Sequence, residues 1–160
     1  MNKAFYPGTF DPITKGHLDI IKRSSKIYDH VYVAIMINPR KKCVFSAKER
    51  KDFIEKCVKD LPNVEVVIGE GLTVDYASSI GCNIIIRGIR AVSDYEYELS
   101  AAYANMQYND SIETVLMISK PELSFLSSSI TKEFAYFGAD ISPYIPEEIL
   151  EDVKSKLCNR

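Results

Sequence analysis

His17 is the residue best placed to do chemistry, because it closes the segment Tyr6-Pro7-Gly8-Thr9-Phe10-Asp11-Pro12-Ile13-Thr14-Lys15-Gly16-His17, which leads from an apolar run into an amphipathic stretch. A histidine in the opening turn of a helix sets a titratable donor beside backbone N–H groups that lack partners inside the helix and carry the positive end of its dipole. Such a helix start binds phosphate. Gly8 and Gly16 allow close approach of the backbone to a ligand, and two prolines stiffen the loop.

Three other segments carry donors of the same kind. Arg87-Gly88-Ile89-Arg90 places two guanidiniums around a glycine at the end of an apolar strand, and their planar fork of donors matches phosphate oxygens. The plain alternative is pairing with surface carboxylates. Arg40-Lys41-Lys42 follows another apolar run; a solvated charge run is its default reading, and spacing does not say which cation points inward. Ser124-Phe125-Leu126-Ser127-Ser128-Ser129, with Lys132 beyond it, supplies hydroxyls and free backbone donors at a helix start, although serines there are also ordinary caps. Glu96 and Glu98 open a helix rich in tyrosine (Tyr95, Tyr97, Tyr103, Tyr108), whose aromatics fit core or subunit contact better than base stacking. One of the two glutamates reads as a cap and the other as solvated, with Glu98 also able to reach a ligand in the adjoining cleft, whereas His30 reads as structural. The sequence has no Walker A lysine motif, no G-x-G-x-x-G after the first strand and no G-x-S-x-G elbow.

The elements that must position these groups alternate. Apolar runs at Lys3–Tyr6, Val31–Ile37, Val64–Ile68, Asn83–Arg87 and Thr114–Ile118 read as strands. Helical patterns lie between them near Gly16–Ile27, Ala47–Lys59, Val74–Ile80 and Asp94–Asn109. The pattern predicts a Rossmann-like α/β fold, a doubly wound five-stranded parallel sheet with C-terminal helices that cover one end of it. Ser46 to Glu49 and Ser93 to Glu96 have the spacing of capping boxes, Gly81 suits a helix stop, and Pro146 opens a last helix. If the winding reverses between the first and fourth strands, the His17 and Arg87 loops converge at the crevice where such sheets bind ligands.

Composition narrows the function. The 160 residues, 46% of them hydrophobic, suit one domain over 1–160. A net charge of −2 argues against a broad nucleic-acid surface, so the cations must act locally. Four scattered cysteines form no metal-ligand spacing, and no run resembles a secretory signal or a membrane span. A reduced, cytoplasmic setting is expected.

Taken in order, the opening loop with Thr14-x-Gly16-His17, the Lys41-Lys42 pair, Ile86 to Glu98 and Ser124 to Ser129 resemble the phosphopantetheine adenylyltransferase family. That family lies within the nucleotidyltransferases that carry an H/T-x-G-H motif. The resemblance spans nearly the whole chain. It implies transfer of the adenylyl group of ATP to 4′-phosphopantetheine, giving dephospho-coenzyme A and pyrophosphate. By the same resemblance, His17 stabilises the transition state, and Thr9, Lys41, Thr73 and Arg87 contact phosphopantetheine. Thr9, Phe10, His17, Gly88, Ile89, Arg90, Glu98, Leu123, Ser124, Phe125, Leu126, Ser127, Ser128 and Ser129 line the ATP site. Magnesium accompanying ATP, a homohexamer and inhibition by coenzyme A are also implied. Two alternatives remain open from the residues: another nucleotidyltransferase, such as a cytidylyltransferase or a nicotinamide-mononucleotide adenylyltransferase, and a noncatalytic nucleotide-binding protein.

Overall fold

Five short apolar runs become five parallel strands, β1 (Lys3–Gly8), β2 (His30–Met36), β3 (Val64–Gly69), β4 (Ile84–Ile89) and β5 (Glu113–Ile118), in the order β3-β2-β1-β4-β5. The structure, a computed structural model, describes residues 1–158. Winding runs outward from β1 to β3, then restarts at β4 on the other side of β1. The predicted reversal is therefore real. β1 pairs with β2 along its length, from Lys3↔His30 to Gly8↔Ile35, but its register with β4 rests on Phe5↔Ile85. Beyond that pair the two strands part toward their carboxyl ends, where a crevice forms.

Side chains alternate across the sheet. On one face Ala4, Tyr6, Val31, Val33, Ile35 and Ile86 pack under α1 (Lys15–Ser24) and α2 (Ala47–Val58). On the other, Phe5, Ala34 and Ile85 pack with Val74 and Ala77 of α3 (Thr73–Ser79) and with Ile112. Phe5, Ile35, Ile85 and Ile86 are fully buried, each contributing about 2 kcal/mol by removal from water. α4 (Val92–Tyr108) departs from this pattern, since Glu98 is the buried residue along its 17-residue length.

The tail differs from expectation. α5 (Ser128–Tyr136) stands at the mouth of the crevice, but Ile141, Ile145 and Ile149 join Val153 and Leu157 of α6 (Leu150–Leu157) in the core beneath α1 and α2. Its apolar residues are better buried against those two helices than over the polar end of a sheet, so the tail thickens one layer. Pro146 precedes a single 3-10 turn, Glu147–Ile149, before α6 begins.

Strand and helix ends shift by one to three residues, and two helix ends are instructive. Ser46 caps α2 with Glu49 as predicted. Ser93 does not cap α4: Ala91 holds the cap position, and the Asp94 carboxylate accepts the backbone N–H of Arg90 at 3.0 Å. Two residues earlier than expected, a carboxylate stands in the position assigned to Glu96. Gly81 follows α3 at φ 68°, the left-handed geometry a helix stop needs.

Candidate active site

Thr14 sets where α1 starts and how His17 is held. Its Oγ1 accepts the His17 backbone N–H at 3.4 Å, and its own N–H donates to His17 Nδ1 at 3.1 Å. This is a capping box with imidazole where glutamate or glutamine is usual. Its consequence is chemical as well as structural, because Nδ1 as acceptor leaves the proton of the neutral ring on Nε2. Burial, reinforced by the charges of Arg90 and Arg87, lowers the His17 pKa from 6.5 to about 4. At neutral pH it is an uncharged donor.

Phe10 packs edge-on against His17, ring centroids 5.1 Å apart, with its backbone at φ 49°. That conformation is costly for a bulky residue and persists only where the surroundings enforce it. Gly8 shows how: a Cβ there would lie 2.7 Å from Phe10 Cζ. Gly8 thus makes room for the protein's own aromatic ring, where a ligand was expected. Around Gly16, which lines the cleft, a Cβ would meet ordinary contacts with Thr14, Leu126 and Leu123, the nearest at 3.5 Å, so space alone does not require glycine there.

Asp11 is the residue that sequence reasoning missed. Only 3% exposed, its carboxylate accepts the backbone N–H groups of Val44 and Phe45 at 3.0 and 2.9 Å and receives Lys132 Nζ at 2.9 Å. One side chain therefore ties together the opening loop, the lysine-bearing loop after β2 and α5. The only signal was an aspartate between Phe10 and Pro12, which reads as a turn residue. Arg50, from α2, steadies the same loop by donating to the Thr9 carbonyl at 2.7 Å, and Ser128 Oγ donates to the Pro12 carbonyl at 2.7 Å.

Across the crevice, Arg87 makes a bidentate pair with Glu98, Nε and Nη2 each 2.7 Å from a carboxylate oxygen, and Nη1 donates to the Pro7 carbonyl at 3.2 Å. Although burial opposes the charged guanidinium, the hydrogen bonds and charge of Glu98 prevail and raise the Arg87 pKa. Arg90 Nη1 donates to the Leu126 carbonyl at 2.7 Å while its Nε meets Asp94 at 3.2 Å. Both arginines do pair with carboxylates, as the plain reading held. They nevertheless form the wall of the crevice.

The cleft has a volume of about 670 Å³. Its lining includes Thr9, Phe10, His17, Lys41, Thr73, Arg87, Gly88, Arg90, Glu98 and Leu126 to Ser129, together with Tyr6, Asp11, Lys42 and Lys132. Lys41 Nζ donates to Thr9 Oγ1 at 3.2 Å, which brings the loop after β2 against the opening loop. Ile89, Leu123, Ser124 and Phe125 stand off the wall: Leu123 closes a 3-10 turn, Pro121–Leu123, and Phe125 packs edge-on against Tyr144 at 5.8 Å. Five cationic side chains and three carboxylates line the cleft, so it is positive in a chain that is negative overall. The three carboxylates, Asp11, Asp94 and Glu98, are each engaged by a cation. Among the described residues no group of three or more His, Cys, Asp or Glu side chains forms a metal cage.

A parallel sheet that reverses beside a histidine-bearing helix start, with arginines facing it across a positive crevice, matches the nucleotidyltransferase class. A family model described as cytidylyltransferase-like fits residues 5–134. The fold resembles a Plasmodium falciparum nicotinic acid mononucleotide adenylyltransferase, complexed with NaAD, at TM-score 0.71 and 16% identity, covering 99% of this chain and 97% of that one. Nearer relatives are phosphopantetheine adenylyltransferases. That of Finegoldia magna is 51% identical over 99% of this chain and 98% of its own, and that of Clostridium tetani 49% identical over 100% of both. The chain belongs to the phosphopantetheine adenylyltransferase family.

Proposed function

We propose that the protein transfers the adenylyl group of ATP to the phosphate of 4′-phosphopantetheine, giving dephospho-coenzyme A and pyrophosphate. Family membership supports this reading, and the neutral, Nε2-protonated His17 beside an open helix start is the observation that carries it. An oxygen of the acceptor phosphate attacks the α-phosphorus of ATP, a new P–O bond forms, and the bond to the bridging oxygen breaks as pyrophosphate leaves. The nucleophile is already ionised at neutral pH, so a general base would add little. What remains is to hold two polyanions in line and stabilise the charge on the phosphoryl oxygens. Lys41 and Thr9 suit the acceptor phosphate, Arg87 and the phosphopantetheine arm meet on the wall that includes Thr73, and Arg90 with the Ser127 to Ser129 helix start suits the triphosphate. His17 Nε2–H donates to charge that develops in transfer.

Magnesium would arrive with ATP, held by phosphate oxygens and water, because the cleft carboxylates are already paired. Coenzyme A carries the same phosphopantetheine arm as the product, which supports its competing for the same cleft. A homohexamer is supported by the many exposed aromatics on α4. Among the described residues no helix is long and apolar enough to cross a membrane, and we place the reaction in the cytoplasm.

Pyrophosphate release from phosphopantetheine with ATP, and not with CTP, is the expected result; release with CTP alone would overturn the reading. His17→Ala should lower kcat by about 3 kcal/mol, near 150-fold, with much smaller effects on substrate Kd. Near-normal turnover in that variant would exclude the role assigned to His17.

A further inference from the structure

Tyr6 projects from β1 into the floor of the cleft, and its hydroxyl is out of place there as a purely structural group. The residue is 6% exposed, its ring packed edge-on against Phe10 with centroids 5.5 Å apart. Yet the hydroxyl makes no hydrogen bond to any described residue. Among the described residues, the side-chain oxygen that is sealed away and unpaired is that of Thr114, so the Tyr6 oxygen opens to the cleft it lines. It lies over Gly88, where a Cβ would be 3.8 Å from it, and the Arg87 and Arg90 guanidiniums act on it electrostatically. Burial raises its pKa, so it stays a protonated donor at any physiological pH.

Phenylalanine would fill the same space without a polar atom that no protein group satisfies. A donor that shares the cleft wall with two guanidiniums is suited to an anionic oxygen. Building on the function proposed above, we infer that Tyr6 is a further substrate-contacting residue whose hydroxyl donates a hydrogen bond to a phosphoryl oxygen seated between Arg87 and Arg90. Two sources supply such an oxygen, the acceptor phosphate and the α-phosphate of ATP.

Tyr6→Phe removes the hydroxyl and keeps the ring, and calorimetry with ATP alone and with 4′-phosphopantetheine alone separates the two sources. The expected result is an unchanged or raised melting temperature without ligand, with a tenfold or greater loss of affinity in one of the two titrations. A tenfold or greater fall in kcat with both affinities unchanged also supports the contact, made during transfer. A lowered melting temperature without ligand, or a failure to fold, would show that the hydroxyl is structural and overturn the proposal. So would affinities and kcat all within twofold of the parent. The parent protein's own pyrophosphate assay tests the proposed reaction separately: were it inactive, the ATP and 4′-phosphopantetheine titrations of the variant, taken together, would still decide the role of Tyr6.

Discussion

His17 shows how one side chain can be fixed by two demands at once. As third residue of α1 it completes the cap through Nδ1, and the same bond leaves Nε2–H facing the cleft. Its pKa is lowered by burial first and then by Arg90 and Arg87. An NMR titration of the ligand-free protein should therefore show the His17 imidazole unprotonated from pH 8 down to about pH 5, with a midpoint near 4. A midpoint near 6.5 would contradict the burial and the arginine effect. The sign for stability follows: the unfolded chain binds the proton more readily, so this group's contribution is complete above about pH 6.5 and is lost as the pH falls through about 4. His17→Ala should flatten that part of the stability curve. The ring keeps partial exposure at the cleft wall, so the slope will be shallower than for a sealed histidine. Asp11 was illegible at this scale because its partners lie 33 and 121 residues away, and no local spacing encodes them.

At the scale of elements, Arg87 and Glu98 couple β4 to α4. Arg87→Met alone leaves a carboxylate that is 7% exposed without its partner, and should lower stability by about 3–5 kcal/mol in chemical denaturation. Adding Glu98→Leu should recover most of that loss while substrate binding stays impaired, separating support of the fold from contact with phosphate. Equal loss in the single and double variants would mean that the pair is not what holds α4. Strands and most helices were legible because burial imposes a period that composition records, with β2 found one residue from its expected bounds. Helix starts were less so. Ser46 and Ser93 have the same spacing to glutamate, but β4 turns so directly into α4 that Asp94 reaches Arg90 first, and Ser93 falls inside the helix. The serine-rich segment reads as one phosphate site, whereas Ser124 and Phe125 follow the 3-10 turn and stand off the cleft and only Leu126 to Ser129 line it.

Across the whole molecule, α4 is an element with too little to bury. Tyr97, Tyr103 and Tyr108 are 70%, 63% and 60% exposed, more apolar surface than one helix of a monomer ordinarily leaves in water. The proposed hexamer would account for it, in which case light scattering should show Tyr97→Lys with Tyr103→Lys dissociating into smaller species without loss of helical signal. An unchanged mass would place the subunit contact elsewhere. The separation of β1 from β4 beyond Phe5↔Ile85 has a different consequence, one for descent. Because the register of β1 with β4 rests on Phe5↔Ile85, with the Arg87 side chain reaching the Pro7 carbonyl beyond it, the two lips of the crevice share few contacts that a substitution on either must preserve. Such an arrangement would let a lineage exchange the compound held on one side while keeping the apparatus on the other; the fold itself is shared at 16% identity.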